Sequence, residues 1–335
     1  MGGGSGAAKK TSVPDDVTFK TKPQIALDLI DRAKANGIQV MAWNADEFYG
    51  RDNHFLDGLD DRGEAFVVEV PVSTHVWLRK PKVLENRTYS HIGRPKRPRA
   101  LRKRDKKSSE VQNLAKYSSE FTKQNPQRYL VKQTHKGEEV WEIRWSTCWR
   151  KTHKETLISK QCTLIVAKNV RTGEIKYFLS NRVPGCYGWN LRMILRVAFG
   201  RWPVEDCFRE AKEELGLDHF ECRSWHGIHR HLYVTILSHL FCARVREKFS
   251  QSDEVTTGEL LTTEQVRRAM NIYLEGASLP RSRTHLYRDE LARQEYYQHR
   301  NATAAKSHRK KRRRQLEALG IDPDSIKSLF DKPKQ

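Results

Sequence analysis

The sequence predicts an α/β protein, and three patterns along the chain lead to this expectation. A strand, a helix and a second strand follow one another between residues 38 and 72, four strand-like segments lie between residues 128 and 182, and helical periodicity takes over from Leu191. A strand–helix–strand unit of this length implies two parallel strands joined by a right-handed crossover. We therefore expect a parallel pair first, antiparallel strands next and helices last.

The first elements place an aspartate at the end of a strand. Pro23–Ala35 reads as a helix, with Pro in its first turn, an apolar stripe and Gly37 as its stop signal. Ile38–Trp43 has the apolar run of a buried strand and ends just before Asp46. Open α/β sheets bind their ligands at the carboxyl ends of parallel strands, which makes Asp46 a candidate site residue.

A short helix and a second strand complete the unit. The helix carries Phe55 and Leu59 and stops at Gly63, and "EAFVVEVPV" follows as the strand. From Lys80 to Gln127 the chain is rich in Pro, Lys, Arg and Ser, so a long, partly disordered basic loop is expected. Its "GRPKRPR" is partly similar to short hooks that enter the minor groove of DNA, although general motif grounds favour a solvated basic loop.

The segments "RYLVKQT", "EVWEIRWSTCW", "CTLIVAKN" and "EIKYFLSN" read as antiparallel strands. Aromatic and other residues alternate along the second of them, from Trp141 to Trp149, and we interpret that face as sheet core rather than as a surface for stacking bases. Further on, "HRHLYVTILSHLFCARVREKF" predicts a strongly apolar helix that is buried.

The helix predicted from Arg201 to Leu215 brings charged side chains to one face. Arg201, Glu205 and Lys212 are separated by four and seven residues, which at about 100° per residue lie on one line with Phe208. This line could hold a metal ion and a phosphate, or it could be a surface ion-pair ladder. Asp46 and Glu205 on rigid elements suggest metal-ion chemistry on phosphodiesters, since Mg²⁺ prefers carboxylate oxygens.

The charge of the chain favours a polyanionic partner. The 335 residues have a formal net charge of +21, with 31% charged and 37% hydrophobic residues. Nine basic residues and one acid lie between Arg94 and Lys107, and seven basic residues and no acid lie between Lys306 and Arg314. Nucleic acid is the first interpretation and an anionic membrane surface the second.

The remaining composition excludes several classes. The six cysteines contain no CxxC pair, which is typical of reduced thiols in a cytosolic protein and not of a disulfide framework or a zinc site. No segment has the roughly 20 apolar residues of a membrane span. The opening "MGGGSGAAKK" has the composition of a flexible linker, so residues 1–12 are expected to be disordered.

Two blocks resemble bacterial insertion-sequence transposases of the DDE class. "NADEFYGRDNHFLDGLDDRGEAFVVEVP" is similar to the second-aspartate block, and "FLSN…RVAFGRWPVEDCFREAKEELGLDHFECRSWHGIHRH" resembles the glutamate block, closest to the branch numbered seven-oh-one. In that branch a Tyr-Arg-Glu-Lys signature lies on one helix. Arg201, Glu205 and Lys212 match it, whereas the tyrosine position is Ala198 with Phe199 beside it.

The resemblance implies a ribonuclease H-like catalytic core with an inserted antiparallel β subdomain and a helical, basic C-terminal region. Asp46 and Glu205 would bind Mg²⁺ or Mn²⁺, two ions in a complete site, and Arg201 and Lys212 would clamp phosphate. The reaction would be cleavage at a transposon end followed by strand transfer. The implied segments are 1–12 (linker), 13–75 (partial core), 76–127 (basic, largely disordered loop), 128–182 (β insertion), 183–250 (helical core with the glutamate) and 251–335 (helical region with a basic tail).

The implied partner is double-stranded DNA, which includes the terminal inverted repeats and the target DNA. A homodimer is also implied, and no membrane partner is. The implied location is the bacterial cytoplasm, at the nucleoid. The residues expected to contact DNA are basic or aromatic: Arg94, Lys96, Arg97, Arg99, Arg209, Arg223, Trp225, Arg230, Lys310, Lys311, Arg312 and Arg313.

The chain departs from the family at the first aspartate of the triad. About two dozen residues precede the first helix, without a strand pattern, and Asp15, Asp16, Asp28 and Asp31 lie in a turn or a helix. We therefore expect a truncated, catalytically impaired transposase. The Ile38–Trp43 strand would then form an open sheet edge, and the isolated protein would be poorly soluble.

Two other function classes stay open. A non-catalytic DNA-binding protein derived from a transposase is the main alternative, and a general RNA-binding basic protein is the third. Among local motifs, the histidines of "HGIHRH" are interpreted as DNA-facing or surface residues rather than metal ligands. Glu210 and Lys212 form an acid-x-lysine pair on a helix rather than a strand, and Cys207 has no evident base partner.

Overall fold

The computed structural model describes residues 11–84, 100–105, 107–134, 137–154, 156–250, 261–277 and 283–330. The chain divides into two compact units. The sheet unit comprises Lys20–Arg201 and Ser307–Gln335, and the helical unit comprises Met1–Phe19 and Trp202–Lys306.

The sheet unit contains most of the strands. Its elements are α1 (Lys22–Ala35), β1 (Trp43–Ala45), α2 (Glu47–Gly50), α3 (Asn53–Asp61), β2 (Phe66–Val70), β3 (His75–Trp77), β4 (Val83–Leu84), β5 (Ala100–Leu101), β6 (Ser109–Glu110), α4 (Val111–Tyr117), α5 (Ser119–Thr122), β7 (Gln127–Thr134), β8 (Gly137–Arg150), β9 (Cys162–Asn169), β10 (Ile175–Ser180) and α6 (Leu191–Ala198). The helical unit contains α7 (Trp202–Leu215), α8 (Trp225–Ser250), α9 (Thr263–Ala277) and most of α10 (Arg283–Ala318), and the last turns of α10 and β11 (Lys327–Ser328) belong to the sheet unit.

One mixed sheet organises the sheet unit. Its order is β1-β2-β10-β9-β8-β3-β6, with β7 joining β8 and β11 joining β7. The strands β1 and β2 are parallel, with Trp43 opposite Phe66, whereas β10, β9 and β8 are antiparallel to their neighbours. The α/β class, the parallel pair and the antiparallel strands are confirmed. The segment 128–182 continues the sheet through β10, which pairs directly with β2.

Helices cover both faces of the sheet. Side chains alternate along a strand, so Val68 of β2 points to one face and Val67 to the other. On the first face, Val68 packs in a cluster with Leu56 and Leu59 of α3, and on the second face Val67 packs in a cluster with Ile194 of α6. Trp141 and Ile143 are buried in the second cluster and Trp145 packs against it, which confirms the sheet-core interpretation for these residues.

The first strand is shorter than the sequence predicts, and the expected strand Ile38–Trp43 is wrong. The strand β1 begins only at Trp43, and the exposed fractions of Ile38 and Met41 are 56% and 57%. The neighbouring strand β2 starts at Phe66 after a turn at Gly63, so residues 38–42 have no strand beside which to extend. In the described part of the chain β1 pairs with β2 alone, and an apolar cavity of about 280 Å³ lies between α1 and β1.

The segment 76–127 differs from the expected disordered basic loop where it is described. It forms α4 and α5 and contributes Val111 and Phe121 to the core, each almost fully buried. These two apolar residues anchor the segment to the sheet. The sequence prediction missed them because the residues around them are mostly basic or polar. The "GRPKRPR" motif lies outside the described residues.

The apolar helix predicted to be buried is α8, and that expectation is wrong for the described structure. Thr235 and Cys242 are buried on one narrow side, whereas Leu237 is 64% and Phe241 is 47% exposed. Among the described elements of the helical unit, the helix packs on α7 and α9. None of the helices in the described ranges combines the length and the apolarity that a membrane crossing requires.

Candidate active site

Asp46 follows β1 directly and caps the next helix. Its Oδ1 accepts hydrogen bonds from the backbone N–H groups of Phe48 and Tyr49, at 3.1 and 3.4 Å. Aspartate is a preferred N-cap because its carboxylate satisfies these otherwise unpaired donors. The carboxylate is half-buried, and Oδ2 takes part in no hydrogen bond with the described residues. One oxygen of Asp46 is thus fixed and the other is available to a ligand.

Close backbone contact holds the capped helix against the sheet. A side chain at Gly50, the last residue of α2, would overlap the carbonyl oxygen of Glu69 in β2. The absence of a Cβ therefore lets α2 lie directly on β2. Glycine at the end of "DEFYG" was a signal for this contact that the sequence interpretation did not use.

Side-chain bonds fix β1 as well. The indole N–H of Trp43 donates to Glu64 at 2.8 Å, and Lys34 of α1 forms an ion pair with the same carboxylate. Burial acts to raise the pKa of Glu64, but the bonds from Lys34 and Trp43 outweigh it, and the pKa lies below its usual value. On the other side of the strand, the amide of Asn44 donates to backbone carbonyls of Val197 and Ala198 in α6. The strand that carries Asp46 is therefore anchored at both sides.

Arg201 lies immediately before α7 rather than within it. Its guanidinium is 4.0 Å from the carboxylate of Glu69, which also pairs with Lys176 at 3.2 Å. The sequence interpretation missed Glu69, although a single charged residue inside the apolar strand "FVVEV" was a usable signal. The guanidinium proposed to bind phosphate therefore already has an acidic neighbour.

Glu205 and Lys212 share the exposed face of α7. Both are exposed, as is Phe208 between them. The opposite face packs on α8 and α9, where Glu210 accepts a hydrogen bond from Thr263 at 2.5 Å and Glu214 pairs with Arg267 at 3.1 Å. The polar bonds on the packing side orient the helix, and its other side presents Glu205 to solvent.

The four residues of the predicted centre belong to two units. Asp46 and Arg201 lie in the sheet unit, and Glu205 and Lys212 lie in the helical unit. The boundary falls between Arg201 and Trp202, inside the signature that led to the prediction. The structure therefore describes Asp46 with Arg201, and Glu205 with Lys212, in separate units.

The donor chemistry of Asp46 and Glu205 fits a hard divalent cation, because carboxylate oxygens are the ligands that Mg²⁺ and Mn²⁺ prefer. No group of three or more His, Cys, Asp or Glu side chains suited to a metal ion occurs within the described ranges. In "HGIHRH", a ring nitrogen of His229 lies 2.8 Å from the carbonyl oxygen of Trp225, and one of His231 lies 2.8 Å from that of Gly216. These contacts fit a structural role for both histidines.

The residues predicted to contact DNA fall into three groups. Arg94, Lys96, Arg97 and Arg99 lie outside the described residues. Arg223, Arg230, Lys310 and Lys311 are exposed. The others have intramolecular partners or are partly covered: Arg209 pairs with Asp206 and Glu213, Trp225 stacks near His229, Arg312 is half-buried, and Arg313 pairs with Asp324 and Glu317.

Cys207 has a neighbour that sequence could not reveal. Its Sγ lies 3.9 Å from Nδ1 of His239, and Nε2 of that ring is 3.8 Å from Glu210. Cys207 and His239 are 32 residues apart in the chain and lie on different helices, so no local spacing connects them. All three side chains lie where α7 packs on α8.

Comparison with known proteins supports one part of the resemblance. The family model of the DDE superfamily endonuclease matches residues 5–137. The match includes Asp46 and the whole βαβ unit, and it ends before Glu205 and Lys212. No curated protein matches the chain. Over residues 5–137 the chain is therefore similar to the DDE superfamily endonucleases, and that stretch contains the aspartate fixed at the end of β1.

Proposed function

We propose that this protein is a transposase-type DNA nuclease that cleaves and transfers DNA strands with a divalent metal ion, Mg²⁺ or Mn²⁺. The main support is the position of Asp46, which lies inside the matched stretch and keeps one carboxylate oxygen available at the carboxyl end of β1. The net charge of +21 supports a polyanionic substrate. We further propose that the protein belongs to a bacterial insertion sequence and is located at the nucleoid. It would act as a dimer on the terminal repeats and on target DNA.

Asp46 and Glu205 are the proposed metal ligands. The backbone donors of α2 hold one oxygen of Asp46, which fixes the direction of the other, and the packing of α7 directs Glu205 to solvent. A bound divalent ion would supply Lewis-acid stabilisation of a phosphodiester and a more acidic bound water. Two carboxylates fill a minority of the octahedral positions of Mg²⁺, so we expect weak metal binding and slow cleavage.

Arg201 and Lys212 are the proposed phosphate contacts. A guanidinium has five N–H donors, so Arg201 can keep its interaction with Glu69 while it binds a phosphate oxygen. Lys212 adds a second positive charge on the same face of α7 as Glu205. Positive groups close to a reacting phosphate stabilise the charge that develops there.

A plasmid-nicking assay tests the proposal. Supercoiled DNA is incubated with the protein and Mn²⁺ or Mg²⁺, and Asp46→Asn and Glu205→Gln are compared with Glu213→Gln, an exposed glutamate of the same helix. We expect metal-dependent nicking that both site variants reduce by at least about tenfold, because even the loss of a side chain that supports a metal ligand typically costs about 10- to 100-fold. Nicking that persists unchanged in Asp46→Asn and Glu205→Gln would overturn the assignment of these ligands.

A non-catalytic DNA-binding protein is the second candidate, and the dense basic run at the end of α10 favours it. Seven basic residues and no acid lie between Lys306 and Arg314. Salt-sensitive DNA binding without cleavage by the wild-type chain under any of the metal conditions would establish this alternative.

A further inference from the structure

The last turns of α10 have a packing side and a solvent side. Leu316 is buried in a cluster with Val140 and Ile321, and this defines the packing side. At about 100° per residue, Ser307, Lys311 and Arg314 point to the opposite side of the helix. A shallow, open surface pocket lies on this side of the helix, and the side chains that line it, which we call the α10 groove, are Ser307, Lys310, Lys311, Arg314, Gln315 and Ala318.

Ion pairs divide the basic run into two sets. Arg313 pairs with Asp324 and with Glu317, and the bond to Asp324 raises its pKa. Arg312 is half-buried beside Arg171, and burial followed by this like charge lowers its pKa. Within the described part of the chain, Lys310, Lys311 and Arg314 take part in no ion pair and are exposed. The side chains that sequence placed in one basic block therefore have different environments.

The chemistry of the α10 groove suits a row of phosphates. It presents three cations together with the hydroxyl of Ser307 and the amide of Gln315, and it contains no acid. Lys310 and Arg314 are one turn apart, about 6 Å along the helix. Phosphates of one strand of duplex DNA advance about 3.4 Å per nucleotide, so the three cations span about two to three phosphates.

We propose that the α10 groove binds the phosphate backbone of duplex DNA without reading its sequence, while Arg312 and Arg313 serve the fold. The choice of duplex DNA rests on the proposed function, and the phosphodiester chemistry rests on the groove. Lysines on phosphates position a protein on DNA and carry no base information. This separates Lys310 and Lys311 from Arg312 and Arg313, which sequence analysis had grouped as equivalent DNA contacts.

Salt-dependent binding tests this inference. The triple variant Lys310→Gln/Lys311→Gln/Arg314→Gln is compared with Lys116→Gln/Lys123→Gln/Lys160→Gln, which removes the same charge from three exposed lysines elsewhere in the sheet unit. Fluorescence anisotropy with a random-sequence duplex gives log K against log [KCl] from about 50 to 200 mM. Each lost phosphate contact reduces the slope by about 0.9, so we expect a reduction of about 2 to 3 for the groove variant and less than 1 for the control.

Three further variants sharpen the test. Lys311→Gln alone should reduce the slope by about 1 and remains informative if the triple variant does not fold. Arg314→Lys keeps the charge and should preserve the slope, and Arg313→Gln should change it by less than 1. Equal slopes for the groove variant and its charge-matched control, or a larger effect of Arg313→Gln, would overturn the inference, as would an effect confined to duplex RNA of the same length.

The binding assay is run in EDTA, so its result does not depend on nuclease activity. A reduced slope together with absent nicking would support the α10 groove and count against the nuclease. Metal-dependent nicking with an unchanged slope would do the reverse.

Discussion

The guanidinium of Arg201 lies 4.0 Å from the carboxylate of Glu69, so a cation proposed to bind phosphate is already neighboured by an acid. Glu69 belongs to β2, whose carboxyl end lies beside that of β1 because the two strands are parallel. The acid therefore reduces the positive potential on the side of the sheet where Asp46 is held. This relationship gives a direct way to alter DNA binding without removing a cation.

Glu69→Gln is expected to strengthen DNA binding by about 1.4- to fivefold at low salt, because an exposed or half-exposed ion pair contributes about 0.2 to 1 kcal/mol. Filter binding at about 50 mM KCl measures the change. Glu174→Gln is the matched control, since Glu174 contacts the same Lys176 at 3.9 Å but lies just before β10 and is exposed. Weaker binding by Glu69→Gln would contradict the role of Arg201 as a phosphate contact.

Arg150→Met is expected to destabilise the sheet unit by about 3 to 5 kcal/mol, because Asp57 would be left buried without its cation. Arg150 is 2% exposed and lies 2.6 Å from both Asp57 and Asp60 of α3. Urea unfolding followed by circular dichroism measures the loss.

Arg128→Met is the control for this substitution, since its pair with Glu142 is much more exposed and should contribute less than about 1 kcal/mol. Similar losses for the two variants would show that the buried cluster has no special role in joining α3 to β8.

The pair of bonds to Glu64 predicts a pH-dependent contribution to stability. The pKa of Glu64 in the folded chain is lowered from its usual value of 4.5, so the stabilisation is complete above that value and is lost as pH falls through the folded-state pKa. Wild type should therefore exceed Glu64→Gln in stability at pH 7, and this difference should shrink below about pH 4.5.

Urea unfolding between about pH 7 and pH 3 measures the difference, and Trp43→Phe provides the comparison. Removal of the indole donor leaves the bond from Lys34 and the nearby charge of Arg182, so the pH-dependent part should be smaller in this variant. A difference between wild type and Glu64→Gln that does not vary with pH would refute the linkage.

Within the described ranges β1 has a neighbouring strand on one side alone, and this edge predicts self-association. Ile38 and Met41 are exposed and come shortly before β1 in the chain, and an uncovered apolar strand edge promotes pairing with other chains. Ile38→Lys/Met41→Lys should reduce light scattering at high protein concentration and change the free energy of unfolding by no more than about 0.5 kcal/mol for each substitution.

Val72→Lys is the control, because Val72 is also exposed but follows β2 rather than preceding β1. A wild-type chain that stays monodisperse at high concentration would show that the β1 edge does not cause self-association.

Local sequence patterns predicted much of the sheet unit. The features that they did not predict depend on contacts with elements that are distant in sequence. Pro23, Gly37 and the apolar periodicity located the first helix and the βαβ unit, since these signals act within a few residues. The length of β1 depended instead on where β2 begins, and the exposure of α8 depended on which of its sides other helices contact. Neither quantity is encoded in the segment itself.

The candidate site shows the same division. Asp46 was found because a strand followed by an acid is a local pattern, and its helix cap is equally local. Glu69 beside Arg201 and His239 beside Cys207 are contacts between distant segments, so spacing within one element could not reveal them. The Arg201–Glu205 spacing suggested a single helical face, yet α7 begins only at Trp202.

The final strand has a consequence for how the chain is made. The backbone N–H of Leu329 bonds to Leu130 at 3.0 Å, and its side chain is fully enclosed beside β7. During translation, Trp202–Lys306 of the helical unit is synthesised before β11 and Leu329. The sheet of Lys20–Arg201 therefore stays incomplete until after the helical unit has been synthesised. Folding of this protein during translation must therefore finish out of order, because residues made after the helical unit complete a sheet made before it.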